Sequence, residues 1–88
     1  MGQVATDHYP IAVLHEAGGL SANIYECVGV QGTYFTTTFS RIFEYKGKRY
    51  QTSLVREEHL LPLAQLAKRC HAFISRAESL NDKQIAMS

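Results

Sequence analysis

Residues 33–45, Thr-Tyr-Phe-Thr-Thr-Thr-Phe-Ser-Arg-Ile-Phe-Glu-Tyr, are almost wholly β-branched or aromatic. Such side chains fit a pleated surface and lose rotamer freedom in a helix, so the run predicts a strand. Phe35, Phe39, Phe43 and Tyr45 alternate with Tyr34, Thr36, Thr38, Ser40 and Ile42, which predicts a covered phenylalanine face and an open, wettable hydroxyl face. Arg41 falls in phase with the phenylalanines. Either a bulge changes the phase near Ser40, or Arg41 lies at the rim of the covered region with its stem packed and its head in water.

The preceding run, residues 22–30, sets Ala22, Ile24, Val28 and Val30 against Asn23, Tyr25 and Cys27, with Glu26 breaking the apolar side. A tight connection at residues 30–33 and a Gly-centred loop at residues 45–49 predict hairpins on either side of the long strand, with residues 49–54 returning as a further strand. Pro10 suits the first position of an earlier strand over residues 11–16, and Ala17-Gly18-Gly19-Leu20 turns the chain back. Four consecutive antiparallel strands result.

From Arg56 the period changes. Leu60, Leu63, Ala64, Ala67, His71 and Ile74 form one helical stripe, and Leu61, Leu66, Cys70, Phe73 and Ala77 a second. Glu57 and Glu58 suit the positive end of a helix, with Ser53 or a neighbour as cap. Pro62 is comfortable only in a first turn, so a short turn is expected before a helix that starts near Leu61. Two apolar stripes are more than one sheet face can cover. The second, carried by Leu61, Leu66, Cys70 and Phe73, is therefore expected to form a twofold contact between the helices of a homodimer.

The expected fold class is α+β: a four-stranded antiparallel curved sheet followed by one C-terminal helix, ββββα, dimerising through the helix. Its expected extent is residues 10–78, with a flexible arm at 1–9 and a disordered tail at 79–88. Eighty-eight residues suit one small domain, for which burial by oligomerisation is useful.

Charge and cysteine content narrow the function. Nine Lys and Arg against eight Asp and Glu argue against binding through bulk positive charge. Locally, however, Arg41, Lys46, Lys48 and Arg49 are opposed only by Glu44. Cys27 and Cys70 lack the spacing of a metal knuckle or redox motif, and no long apolar leader precedes them, so an intracellular, cytoplasmic protein is expected. No run reaches the ~20 apolar residues of a membrane helix.

His8, His15, His59, His71, Cys27, Cys70 and Glu16 offer no helical i, i+4 histidine pair, and no metal or other cofactor is expected. Cys70 and His71 are adjacent on the helix and point about 100° apart, so no catalytic pair forms and no enzyme is expected. Gly18-Gly19 opens no helix and matches no phosphate-cradling pattern, and no small-molecule substrate is expected.

The aromatics Tyr25, Tyr34 and Tyr50, interleaved with Arg41, Lys46, Lys48 and Arg49, form the candidate nucleic-acid-binding set. Bases stack on exposed rings while cations follow the phosphates, which favours single-stranded DNA or RNA without sequence reading. The bland alternative makes the rings core or edge packing and the Lys-Gly-Lys-Arg loop a solvated turn.

The element order resembles the positive-cofactor-four and Whirly type of single-stranded-DNA-binding fold over about residues 10–74. The chain is also similar to small bacterial proteins of that type. Those carry Ile-Trp in strand two, Arg-x-Tyr in strand three, a Trp opening strand four and Ser-x-x-x-x-Asp-Leu-Pro before the helix. Here the matching positions read Ile24-Tyr25, Arg41-Ile42-Phe43, Tyr50, and Ser53 through Leu61-Pro62 with an altered lead. The resemblance implies a low-specificity single-stranded nucleic-acid-binding homodimer, as a transcription or DNA-maintenance accessory factor. The rival expectation is a dimeric protein-interaction module that binds no nucleic acid.

Overall fold

The computed structural model describes residues 9–87, with residues 81–87 described by their backbone alone. The expected arm at 1–9 lies outside the described residues except for the exposed Tyr9. Four strands, β1 (Ala12–Glu16), β2 (Leu20–Gly29), β3 (Gly32–Tyr45) and β4 (Lys48–Thr52), form one curved antiparallel sheet in the order β1-β2-β3-β4. A 3₁₀ turn over Glu57–His59 leads into the single helix α1 (Leu60–Met87). The layout is ββββα, as the periodicity predicts.

Two two-residue turns fix the register. Gly29 pairs with Gly32 across Val30-Gln31, and Tyr45 pairs with Lys48 across Lys46-Gly47. Lys46 and Gly47 both have positive φ, 53° and 77°, the mirror-image turn whose twist matches flanking strands. Both ladders keep a constant register from end to end, with Leu20 opposite Arg41 and Arg41 opposite Thr52. No bulge interrupts β3.

Arg41 therefore stays on the phenylalanine side, at the rim of the covered region. Its Nε donates to the Leu54 carbonyl at 3.4 Å and its guanidinium lies 5.2 Å from the Phe43 ring centroid.

Partners across a ladder share a face, so the register sorts every strand residue. The helix side carries Ala12 and Leu14 of β1, Leu20, Ala22 and Ile24 of β2, and Phe35, Phe39 and Phe43 of β3. Leu20, Ala22 and Ile24 are buried with Leu66 and Cys70 of the helix, and Leu14, Phe35, Val55, Leu63, Phe73 and Ile74 pack around them. The helix contacts β1 and β2 and leaves the helix side of β3 and β4 largely bare. Arg69 Nη1 fastens it to β1, donating at 2.7 Å to both the His15 carbonyl and Glu16 Oε1.

This packing corrects the expected helix-mediated dimer contact. Leu66 is wholly buried, Cys70 nearly so, and Phe73 packs on the same core, so these three belong to the chain's own interior. Only Leu61, 79% exposed, is left on the surface. The two stripes overlap: the sheet takes Leu63 and Ile74 from one and Leu66, Cys70 and Phe73 from the other.

Pro62 sits within the first turn of α1, where its missing N–H is harmless. Of the expected caps, Ser53 or a neighbour, the chain uses the neighbour Arg56, which opens the 3₁₀ turn. His59 Nδ1 accepts the Arg56 backbone N–H at 3.3 Å, and the His59 N–H donates to the Arg56 carbonyl at 2.9 Å. The helix also continues to Met87, through residues 79–87 of the expected disordered tail. Glu78, Ser79 and Leu80 are exposed, and the helical backbone there needs no apolar face because its hydrogen bonds are internal.

At the β1–β2 turn, Gly19 has φ of 78° and its carbonyl accepts the Ile42 N–H at 2.9 Å. A Cβ on Gly19 would stand 2.3 Å from the Ile42 carbonyl oxygen, whereas one on Gly47 would meet nothing. Gly19→Ala is expected to cost more stability than Gly47→Ala, by about 1 to 3 kcal/mol, because the first adds a backbone clash to the left-handed penalty both share. Urea unfolding of the two variants beside the parent measures it, and equal losses would refute the contact.

Candidate nucleic-acid interface

The constant register divides the proposed binding residues between two faces. Tyr25, Tyr34 and Arg49 lie on the open face, away from the helix, while Arg41, Lys48 and Tyr50 lie on the helix side and Lys46 occupies the β3–β4 turn. The predicted set is not one patch.

The open face is continuous along β3. Ser21, Asn23, Tyr25 and Cys27 of β2 stand beside Tyr34, Thr36, Thr38 and Ser40. Hydroxyls knit it together: Ser21 Oγ lies 3.2 Å from Ser40 Oγ, and Cys27 Sγ lies 3.7 Å from Thr36 Oγ1. Tyr34 is 47% exposed and leans over Gly29, where a Cβ would come within 3.1 Å of its ring. Tyr25 is half-buried and diagonal to Tyr34 across the ladder, about 7 to 8 Å away. Cys27, directly opposite Tyr34, is buried although no described helix covers this face.

The basic residues sit at the other end. β2 pairs with β3 only as far as Arg41, and β4 pairs only from Arg41 to Tyr45, so residues 42–51 project as a two-stranded ribbon. Nearly every ribbon side chain is exposed on both faces. From Tyr34 to Glu44, which pairs with Arg49, is about 33 Å of extended strand. One base and its own phosphate cannot touch both ends, and any bound strand must run along β3.

Tyr50 and Arg41 have local duties. The Tyr50 ring stacks on Phe43 with centroids 5.4 Å apart and planes 21° apart, and Arg41 lies over the same Phe43. Lys46 Nζ is 5.4 Å from the Tyr45 ring centroid. Among the described residues the ion pairs are Arg56–Glu58 and Arg69–Glu16, so Arg41, Lys46, Lys48 and Arg49 face solvent without carboxylate partners. Glu44 is nonetheless the cross-strand neighbour of Arg49. Sequence reasoning passed over Phe43 as a ring that holds two of the candidates; its i, j pairing with Tyr50 follows once the Lys46-Gly47 turn sets the register.

The remaining chemistry is dispersed. Among the described residues no group of three or more His, Cys, Asp or Glu is placed to hold a metal ion, and His8 lies outside them. Burial pushes the Cys70 thiol up from its ordinary value, Arg69 opposing more weakly, and such a thiol is a poor nucleophile. The adjacent His71 is exposed. No described helix is long and apolar enough to cross a membrane.

Comparison of the chain with protein-family models, with curated proteins and with solved structures finds no match. The fold and its surfaces are what bear on function.

The division between interior and surface is measurable. Leu66→Ala is expected to lose about 2 to 5 kcal/mol of folding stability, as for a buried leucine whose cavity cannot fully collapse. Leu61→Ala should stay within about 0.5 kcal/mol of the parent, as for a surface position. Chemical denaturation of both variants checks this, and a stable Leu66→Ala protein would overturn the assigned core.

Proposed function

We propose that the chain binds single-stranded nucleic acid along the open face of β3, with bases on Tyr34 and Tyr25 and phosphates led toward the basic ribbon. The observation that carries this reading is the face of the sheet turned away from the helix, which no described helix or strand covers. It is lined by hydroxyls and two tyrosines and runs without interruption into a ribbon whose cations have no carboxylate partners among the described residues.

Aromatic stacking is worth about 1 to 3 kcal/mol per base and needs unpaired bases, whereas cations serve duplex and single strand alike. Thr36, Thr38 and Ser40 supply donors to phosphate or sugar that read no sequence. The chain's nearly even charge leaves the local cations to direct binding, which makes affinity sensitive to salt. A nucleic-acid accessory protein of the cytoplasm is the role this chemistry fits.

A second reading, a protein-interaction module, is favoured by Leu54, Leu60 and Leu61, which stand exposed where the chain crosses from β4 to the helix. The two readings part in one titration. On the first, a fluorescent single-stranded oligonucleotide binds more tightly than its duplex and the affinity falls with salt. On the second, neither form binds at low salt.

Variants then separate rings from charges. Lys46→Ala, Lys48→Ala and Arg49→Ala are each expected to reduce the magnitude of the salt slope by roughly 0.7 if each contacts a phosphate. Tyr34→Leu is expected to lose about 1 to 3 kcal/mol of binding with the slope unchanged. Tyr50→Leu should instead lower thermal stability through its Phe43 stack and leave binding near the parent's. Binding that depends on Tyr50 but not on Tyr34 would move the site to the helix side and refute the open-face reading.

A further inference from the structure

β3 has two edges, and one is half used. β2 occupies one side from Gly32 to Arg41, while β4 takes the other side only from Arg41 onward. The β4-side edge of residues 33–40 therefore has no strand beside it among the described residues. The hairpins state which backbone groups point there. In a two-residue hairpin the flanking residues exchange both of their hydrogen bonds, so Gly32 points toward β2 and Tyr45 toward β4. The Ile42 N–H, which donates to Gly19 on the β2 side, agrees with the same alternation. The N–H and C=O of Thr33, Phe35, Thr37 and Phe39 consequently project from the β4-side edge.

The same stretch is short of cover as well as of pairing. Phe35 and Phe39 lie on the helix side but beyond the two strands that the helix contacts, Phe35 half-buried and Phe39 37% exposed. Natural sheets blunt such edges with charge, proline, bulges or short length. The outer edges of β4 and β1 follow that practice: β4 is short and carries Lys48 and Arg49, and the His15 carbonyl of β1 is capped by Arg69. Residues 33–40 contain no charged residue, no proline and no bulge.

We propose that this edge takes a short extended peptide segment of another protein, which pairs antiparallel with residues 33–38 as an added strand. The slot decides the length. Thr52 stands opposite Arg41, and Leu54 is held at that corner on the helix side, its N–H donating to Thr52 Oγ1 at 3.0 Å and its carbonyl accepting Arg41 Nε at 3.4 Å. A guest strand therefore stops after about six residues, opposite Thr33 to Thr38. A long strand of a folded sheet runs into β4. So does a second copy of β3, since a twofold axis at Thr37 sets its Thr33 and Gly32 on the places that Thr52 and Gln51 hold beside Arg41 and Ile42. A short segment that belongs to no sheet meets neither obstacle.

Pairing also sets the guest's side chains. Antiparallel partners share a face, so guest residues opposite Thr33, Phe35 and Thr37 lie on the helix side and those opposite Tyr34, Thr36 and Thr38 on the open side. Apolar β-branched residues suit the first set, where they cover Phe35, and hydroxyl residues suit the second, where they extend the row of Thr36 and Thr38. Thr33, Phe35 and Thr37 exchange two hydrogen bonds each with the guest, about six in all. The main chain supplies the affinity and the apolar-hydroxyl alternation the selectivity. The contact uses the edge of β3 and is independent of what its open face binds.

Fluorescence anisotropy of a labelled Ser-Val-Thr-Ile-Thr-Val-Lys peptide, titrated with the chain, reads the contact, and amide shifts in the chain's NMR spectrum locate it. The probe is expected to bind and to move Thr33, Phe35 and Thr37 most. Thr37→Pro deletes an N–H that points out of the sheet and leaves the β2 ladder whole, as edge positions allow. It is expected to weaken the probe by about tenfold or more, while circular dichroism, melting and oligonucleotide binding stay close to the parent's.

Should that variant unfold, the probe itself carries the test. Guest residues on the helix side turn their N–H groups to β3, so N-methylation of the probe's valines and isoleucine is expected to abolish binding and N-methylation of its threonines to leave it. A parent that does not bind the probe overturns the proposal, as does binding indifferent to which nitrogens are methylated. Shifts centred on Leu54, Leu60 and Leu61 would overturn it in favour of the crossover. Shifts of Thr33, Phe35 and Thr37 that appear as the chain alone is concentrated would give the edge to a second copy, and binding seen only after removal of residues 2–8 would give it to the chain's own N-terminus.

Discussion

The contact between one helical flank and two strands governs this chain. Leu66 and Cys70 settle against Leu20, Ala22 and Ile24, and Arg69 ties the flank to Glu16 and the His15 carbonyl. A single helix is about 10 Å across, roughly two strands at 4.8 Å spacing, so it can roof β1 and β2 and little more. The rest of the sheet is left to be used. The bare helix side of β3 and of the ribbon is the consequence of a roof too narrow for the floor.

Stagger compounds that shortage. β3 is longer than either neighbour and is held by β2 over one part and by β4 over the other, with Arg41 as the single residue paired on both sides. Gly19 and Ile42 meet beside that junction, and Arg41 reaches from it to the crossover at Leu54. The ribbon beyond is a two-stranded hairpin, marginal by itself in water. Its own cluster of Arg41, Phe43 and Tyr50 supplies the packing that the helix does not.

Strand order, turn positions and the two faces of β3 were legible in the sequence because each rests on local rules. Thr and Phe alternate, Gly punctuates, and Lys46-Gly47 selects its turn. The Arg41 ambiguity was of another kind, since only the ladder could tell a bulge from a rim position. Helix orientation was harder still. Residues 60–77 are apolar on more than half the circumference, and periodicity alone does not say which stripe meets the sheet. The line between the two stripes runs through the middle of the buried flank. The division of the candidate binding residues between two faces has a different origin: Arg49 and Tyr50 are adjacent in sequence, and a strand sends neighbours to opposite faces.

Successive residues of a strand turn their N–H groups to opposite edges, and only the β2-side edge of residues 33–40 has a described strand beside it, which divides the amides of β3 by kinetics. Gly32, Tyr34, Thr36, Thr38 and Ser40 turn inward and share the protection of the central ladder, so deuterium should enter them only when the sheet opens. Thr33, Phe35, Thr37 and Phe39 turn outward and should exchange at rates near those of a loop, although they belong to the same strand. A strand that looks uniform in its side-chain pattern is thus, in its main chain, half interior and half surface. Whatever occupies that edge will register first as the slowing of every second amide.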